Sequence, residues 1–393
     1  MPLTHGDIAE LTDWRRMLHQ QPEVSGAEER TALAVTLMLQ DLRPDQLITG
    51  LGGHGVAAVF DSGVTGPTVL FRAELDALPI PEIGDLPHRS LIPGLGHMCG
   101  HDGHMAILAG LARVLARQRP ARGRAILLFQ PAEETGSGAA SVVADPDFCQ
   151  IRPDFAFALH NLPGLPLGHV ALKPGPANCA SRGLKLILQG KTAHASMPEG
   201  GVSPALALSR LIPALMGLGP GGPVEPGFRL VTITHATLGN PTFGVAPGSA
   251  ELWATLRTLT DSDMDQLLDD AVTAVSDKAA ISGLHITHSY HDVFDACHND
   301  PDATAILTRV IAKLGLPLSR VGYPMRWSED FGRFGQVAKS AMFVLGAGVD
   351  HPRLHNPDFD FPDALIGPGV RVFSAVVRDL LGPDQAIVVS TKS

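Results

Sequence analysis

Apolar residues recur at helical spacing near the amino terminus, where Ile8, Leu11, Trp14, Arg15 and Leu18 share one side of a helix predicted over 7–20 and stopped by Pro22. A second helix is predicted to begin after Ser25 and to carry Leu33, Ala34, Leu37 and Met38. Short apolar runs then alternate with breakers. The runs 55–60, 68–71, 124–129 and 155–159 read as strands, and 105–118 reads as a long helix between them. Short apolar strands separated by a long helix predict a parallel or mixed α/β sheet covered by helices on both faces.

The pattern changes after Pro174-Gly175-Pro176. A strand at 184–188, a turn at Gln189-Gly190-Lys191 and a helix carrying Leu206, Leu208, Leu211 and Ile212 come first. After a Gly/Pro-rich loop at 217–227 come strands at 229–236 and 248–258, a helix over 261–280 that Asp261 or Ser262 can cap, and a strand at 284–289. Strand, helix, two strands, helix, strand is the order of a small ferredoxin-like α+β sandwich. The α/β pattern then resumes with a helix at 302–314, a strand at 341–347 and a helix at 361–381. The chain is therefore expected to form one large discontinuous α/β domain, 1–182 with 293–393, and an inserted smaller ferredoxin-like domain, 183–292.

Composition narrows the class. A length of 393 residues favours two domains, and 45% hydrophobic with 18% charged residues describes a globular chain rather than a disordered one. The net charge is -10 and no basic track interrupts the acidic background, which argues against nucleic acid as a partner. No uninterrupted apolar stretch is long enough to span a membrane. The start Met1-Pro2-Leu3-Thr4-His5-Gly6-Asp7 lacks a basic flank and an apolar core, so secretion is not expected. Four scattered cysteines fit a reducing cytoplasm, with Cys149, Cys179 and Cys297 expected as small buried hydrophobes. Cys99 stands apart.

Cys99 lies in Gly96-His97-Met98-Cys99-Gly100-His101-Asp102-Gly103-His104, which packs a thiol, three imidazoles and a carboxylate beside glycines. Histidines at a helix cap with a core cysteine would also give this string. The chemical reading is that Cys99 and His101 bind one metal or bridge two, with Asp102 or His104 behind them. The spacing is neither that of a zinc finger nor HExxH. Gln130-Pro131-Ala132-Glu133-Glu134 closes an apolar strand; its carboxylates either sit at a solvated helix start or divide the work, one binding metal and the other moving a proton. His160 ends another apolar run, and His351 and His355 lie in a polar loop after the strand at 341–347. Together these supply the donors a one- or two-metal site needs.

The chain resembles the M20 metallopeptidase clan, and within it the amidohydrolase branch of hippurate hydrolases, auxin-conjugate hydrolases and N-acyl-amino-acid amidohydrolases. The likeness runs from Trp14-Arg15-Arg16 through His19 and Pro22-Glu23 to Arg72-Ala73-Glu74-Leu75-Asp76-Ala77-Leu78-Pro79-Ile80. It continues through the Cys99–His104 and Gln130–Glu134 motifs to Ser328-Glu329-Asp330-Phe331 and His355-Asn356-Pro357.

The resemblance implies two divalent ions per subunit, zinc or manganese with nickel or cobalt as substitutes, sharing the Cys99 thiolate. His101 and His160 are expected on one ion, Glu134 and His355 on the other, with Glu133 as general base and acid. Asp76 is expected to support a metal ligand. The inserted domain becomes a lid that pairs in a homodimer, and His194, in Gly190-Lys191-Thr192-Ala193-His194-Ala195, is expected to stabilise the oxyanion in its own or a neighbouring site.

The implied reaction is hydrolysis of the amide in small N-acetyl- or N-benzoyl-type amino acids rather than peptide chains, with dipeptides or N-carbamoyl compounds as alternative substrates. Arg182, Arg257 or Arg326 would select a free carboxylate, whereas Glu329 or Asp330 would select a free ammonium. The chain departs from the family pattern twice. Glu74 stands where Asp is usual, and Gly244-Val245-Ala246-Pro247 replaces Asn-Val-Ile-Pro, which removes a polar group expected to face substrate unless nearby Asn240 compensates.

Overall fold

The structure, a computed structural model, describes residues 3–320 and 322–382, with 277–282 described in backbone only. The helices are α1 (His5–His19), α2 (Glu29–Asp41), α3 (His101–Arg117), α4 (Gly138–Ala144), α5 (Ala205–Leu218), α6 (Asp261–Ser282), α7 (Pro301–Lys313) and α8 (Ile366–Leu381). The strands of the first segment are β1 (Gln46–Leu51), β2 (Gly55–Asp61), β3 (Thr68–Glu74), β4 (Arg124–Gln130), β5 (Phe155–Pro163), β6 (Val170–Ala171) and β7 (Gly175–Asn178). Next come β8 (Ala180–Gln189), β9 (Ala193–His194), β10 (Arg229–Leu238), β11 (Val245–Ala246), β12 (Ser249–Thr258) and β13 (His285–Phe294), then β14 (Cys297–Asn299), β15 (Leu318–Ser319) and β16 (Lys339–Gly348).

The large domain is built on an eight-stranded sheet of order β1-β2-β4-β3-β5-β16-β6-β15. Its centre is parallel: β4, β3, β5 and β16 all run the same way. Successive residues of β4 feed opposite faces, as the two-residue strand period requires. Ala125, Leu127 and Phe129 join the core under α1, α3, α7 and α8, and Ile126 and Leu128 join the second core under α4. The smaller domain is a four-stranded antiparallel sheet of order β10-β12-β8-β13. Leu184, Leu186, Leu188, Leu252, Ala254 and Leu256 turn one face toward α5 and α6. This is the ferredoxin-like arrangement expected from the order of elements. The other face, carrying Lys185, Trp253 and Thr255, stays open.

Three expectations need correction. On α2 the buried stripe is Thr31, Ala32, Val35 and Leu39, while Leu33 and Leu37 are 57% and 55% exposed. Thr31 turns inward because its hydroxyl and amide both donate to buried Glu23, which sets the rotation of the helix. Cys149 is exposed, because the 3-10 turn Pro146–Gln150 buries Phe148 alone. The long helix begins at His101 rather than 105, which brings the histidine-rich motif into its first turn. Among the described residues, no helix is long and apolar enough to cross a membrane.

Candidate metal centre

The chemistry-bearing residues converge at the carboxyl ends of the parallel strands, where an open α/β sheet gathers its ligands. The chain leaving β3 delivers Asp76, that leaving β4 delivers Glu133 and Glu134, β5 carries His160, and the loop after β16 carries His355. Cys99 and His101 flank Gly100, which precedes α3 at φ 88°, a left-handed conformation that glycine adopts without strain. Gly103 is a second steric requirement: a Cβ there would stand 2.1 Å from the Phe361 ring. The turn before Glu133 has Ala132 at φ 51°, held by its amide donating to buried Glu28 at 2.8 Å. Arg15 ties the first turn of α3 to the loop beyond His355, reaching Asp102 at 3.1 Å and Asp360 at 2.6 Å.

Two groups of ligand atoms meet at one sulfur. Cys99, His101 and His160 form one, Cys99, Glu134 and His355 the other, and within each group the atoms lie within 4.8 Å of one another. Cys99 Sγ is 3.4 Å from His160 Nε2, and His355 Nε2 is 3.5 Å from Glu134 Oε1. His101 Nε2 and Glu134 Oε1 are buried without a hydrogen-bond partner, the condition of atoms that face a cation rather than a donor or acceptor of the protein. The opposite ring nitrogens are spoken for. His101 Nδ1 donates to the Asp76 carbonyl at 2.9 Å and His160 Nδ1 to the Asn161 carbonyl at 2.7 Å, which turns each Nε2 toward the centre. Asp76 accepts from Ser25 Oγ at 2.7 Å and the Glu134 amide at 2.9 Å. His355 sits at φ 65°, uncommon for a residue with a Cβ, with its amide bonded to the Met98 carbonyl at 2.8 Å.

Burial dominates the electrostatics. It pushes the Cys99 thiol well up, and the Glu134 and Glu133 carboxylates push further. Burial also lowers His160 well below the usual imidazole range, so its neutral, ligating form prevails. For His101 burial acts the same way but the Asp76 hydrogen bond and the Glu74 charge win, raising it to about 10. Glu133 is pushed well up by burial and by Glu329, Glu134 and Asp330, against the pull of Arg72. A carboxylate held more basic than usual is suited to taking and returning a proton near neutral pH.

Residues 70–379 match the sequence profile of peptidase family M20/M25/M40. The chain belongs to this family. It is 32% identical over 363 residues to N-acetyl-L-cysteine deacetylase of Bacillus subtilis, covering 91% of this chain and 85% of that protein. It is 30% identical over 350 residues to thermostable carboxypeptidase 1 of Saccharolobus solfataricus, covering 86% and 87%. The crystal structure of the Bacillus subtilis YXEP protein, described as a dinuclear metal binding peptidase from the M20 family, has the same fold, with TM-score 0.79 and 24% identity over 96% and 99% of the two chains.

In this M20 chain the candidate ligands rest on a buried polar relay that sequence reasoning passed over. Arg72 pairs with Glu74, with Glu329 at 2.9 Å and with Asp330 at 2.6 Å. Glu74 accepts from His104 Nδ1 at 2.7 Å, and His104 Nε2 accepts from the Asn161 amide at 3.1 Å. Asn161 in turn holds the His160 ring through its carbonyl and the Cys99 carbonyl through Nδ2 at 2.7 Å. The signal for this relay was present in Arg72 and Glu74, two charges inside a fully buried strand that had to find partners. Replacing His104 with Ala is expected to weaken metal binding roughly 10–100-fold, read by chelator competition on the metal-depleted protein.

Other expected residues lie elsewhere. His194 is exposed on β9, pairs with β11 at Val245 and shares a hydrogen bond of 2.7 Å with Ser196 Oγ; it does not line the cleft of its own chain. Gly244 and Asn240 are likewise outside it. Arg182 is committed to Asp295 at 2.8 Å and Arg326 to the Gly222 carbonyl. Glu329 and Asp330 are buried against Arg72 and cannot serve as an open ammonium pocket, since the guanidinium already takes their charge. Arg257, by contrast, lines the cleft, and so does Arg353, which nothing in the sequence singled out. Neither has a carboxylate partner among the described residues.

Proposed function

We propose that the protein is a metal-dependent amidohydrolase that releases the free amino acid from small N-acyl amino acids of the acetyl or benzoyl type. The observation that carries the reading is the pair of ligand groups joined at Cys99, beside Glu133, on the floor of a cleft of about 480 Å³ into which Arg257 and Arg353 project. In this reading Cys99, His101 and His160 would hold one divalent cation, zinc or manganese, and Glu134 and His355, with Cys99 also within reach, would hold a second. When bound, such cations supply the Lewis acidity that polarises a scissile carbonyl and acidifies a water. The remaining work falls to the chain. Asp76 and Asn161 fix the rings of His101 and His160. Glu133 accepts the proton of the attacking water on its carboxylate and passes it to the amide nitrogen as the C–N bond breaks.

Substrate orientation follows from charge. Burial holds Arg257 below the usual guanidinium value with no carboxylate to offset it, and its Nη1 donates to Ser328 Oγ at 2.8 Å. A free substrate carboxylate would satisfy it. Leu162, Pro163 and Trp327 also line the cleft and supply apolar surface that suits an acyl group. Arg257→Ala is expected to raise KM for an N-acetyl amino acid roughly 10–100-fold, the loss of a charge-assisted hydrogen bond. The matching amino-acid amide, which lacks the carboxylate, should lose far less. The oxyanion role of His194, outside its own cleft, falls in this reading to a second copy paired through the 183–292 lid, with 1–182 and 293–393 as the catalytic domain.

The test is a turnover screen of N-acetyl, N-benzoyl, dipeptide and N-carbamoyl substrates on protein loaded with manganese or zinc. Dipeptides turned over faster than every N-acyl amino acid would sink the reading in favour of a peptidase, an activity that the name of the carboxypeptidase relative keeps in the screen.

A further inference from the structure

The catalytic cleft does not end at the metal floor. A second chamber of about 280 Å³ adjoins it along the open face of the lid sheet, and Gly183, Thr255 and Asp292 line both. Strand pairing explains the passage. Thr255 and His291 flank Gly183 on its two neighbouring strands, so the one residue between them brings no side chain to the face. Beyond the gap stands Trp253, 42% exposed, with its Nε1 donating to Glu251 at 2.6 Å and Lys185 Nζ 4.9 Å from its ring centre. The indole is thereby held in place before any ligand arrives, which lowers the cost of ordering it on binding. Arg257, Thr255 and Trp253 alternate along one face of β12, with Arg257 and Trp253 about 13 Å apart at the usual rise per residue.

We infer that this outer chamber is the subsite for the side chain of the leaving amino acid, and that it selects large apolar, above all aromatic, side chains. The inference rests on the proposed hydrolysis of N-acyl amino acids. With the carboxylate on Arg257 and the acyl group against Leu162, Pro163 and Trp327, the α-carbon lies between the metal floor and the lid. The open direction for its side chain is across Gly183 toward Trp253. Glycine or alanine leaves the chamber to water, whereas a benzyl or indolylmethyl group reaches into it and meets a fixed aromatic ring.

The test uses the metal-loaded full-length protein with N-acetyl derivatives of Gly, Ala, Leu, Phe and Trp. kcat/KM is expected to rise at least about 10-fold from the glycine to the phenylalanine substrate. Trp253→Ala should collapse that ratio, and Trp253→Phe should restore most of it. Thr255→Ile, which narrows the passage while keeping a β-branched residue in the strand, should penalise Phe and Trp more than Gly. Turnover of the series with no preference for the large side chains, or a preference untouched by Trp253→Ala, overturns the subsite and leaves the reaction standing. No turnover of any member while dipeptides or carbamoyl compounds are cleaved overturns the reaction assigned, and this subsite with it.

Discussion

Exchange of Glu133 for Gln is expected to lower kcat by roughly 10²–10⁴-fold while the protein keeps its metal. The substitution preserves the volume and hydrogen-bonding outline of a residue that is 5% exposed, so packing has no reason to change. What it removes is a proton acceptor whose basicity is raised by burial and by the Glu329, Glu134 and Asp330 charges around it. Steady-state kinetics paired with metal analysis on one preparation checks this. Unchanged turnover in a fully loaded variant would falsify the role of Glu133, and turnover lost together with metal would instead place Glu133 among the ligands. The pH profile of kcat/KM supplies a second reading: its acid limb should move or vanish in the variant, because protonating Glu133 removes the base.

Cys99→Ala is the second large effect. The sulfur belongs to both ligand groups, so one substitution takes a donor from each ion position. Bound metal is expected to fall sharply and turnover to be abolished, measured by metal analysis after dialysis and by activity with metal added back. The same atoms make binding pH-dependent, with a sign that follows from their protonation. In the metal-free protein His101 is raised to about 10 and the Cys99 thiol lies well above its ordinary value, so both carry protons at neutral pH. A cation must expel those protons to bind, so affinity rises with pH across the neutral range and falls on acidification. Chelator competition at two pH values and calorimetry in buffers of different ionisation enthalpy would detect the released protons. Affinity independent of pH would show that neither proton is displaced.

Much of this was legible because the ligands sit beside features that sequence reading handles well. Glu133 and Glu134 follow a strand whose apolar run is unbroken, and Cys99 and His101 share a short motif with glycines that the backbone requires. The lid was legible from the order of its elements, since strand-helix-strand-strand-helix-strand has few ways to close into a sheet. Rotation about a helix axis was less legible. Leu33 and Leu37 are apolar yet face solvent, because the Glu23 carboxylate captures Thr31 and turns α2 around. Short elements such as β1, with only two of its residues buried, leave too little periodicity to read.

By itself the sequence determined the mixed α/β core, the inserted ferredoxin-like unit and the run of donors from Cys99 to His355, because these depend on local periodicity and on residue chemistry. Tertiary structure decided which donors gather around one sulfur, that Arg72 consumes the charges of Glu329 and Asp330, that His194 stands clear of its own cleft, and that Arg257 and Arg353 face it with no carboxylate partner among the described residues. Those outcomes depend on distances between segments far apart in the chain. A charge reads the same in sequence whether its partner is a buried guanidinium, a cation or a substrate, and only the fold says which of these lies within a few ångströms.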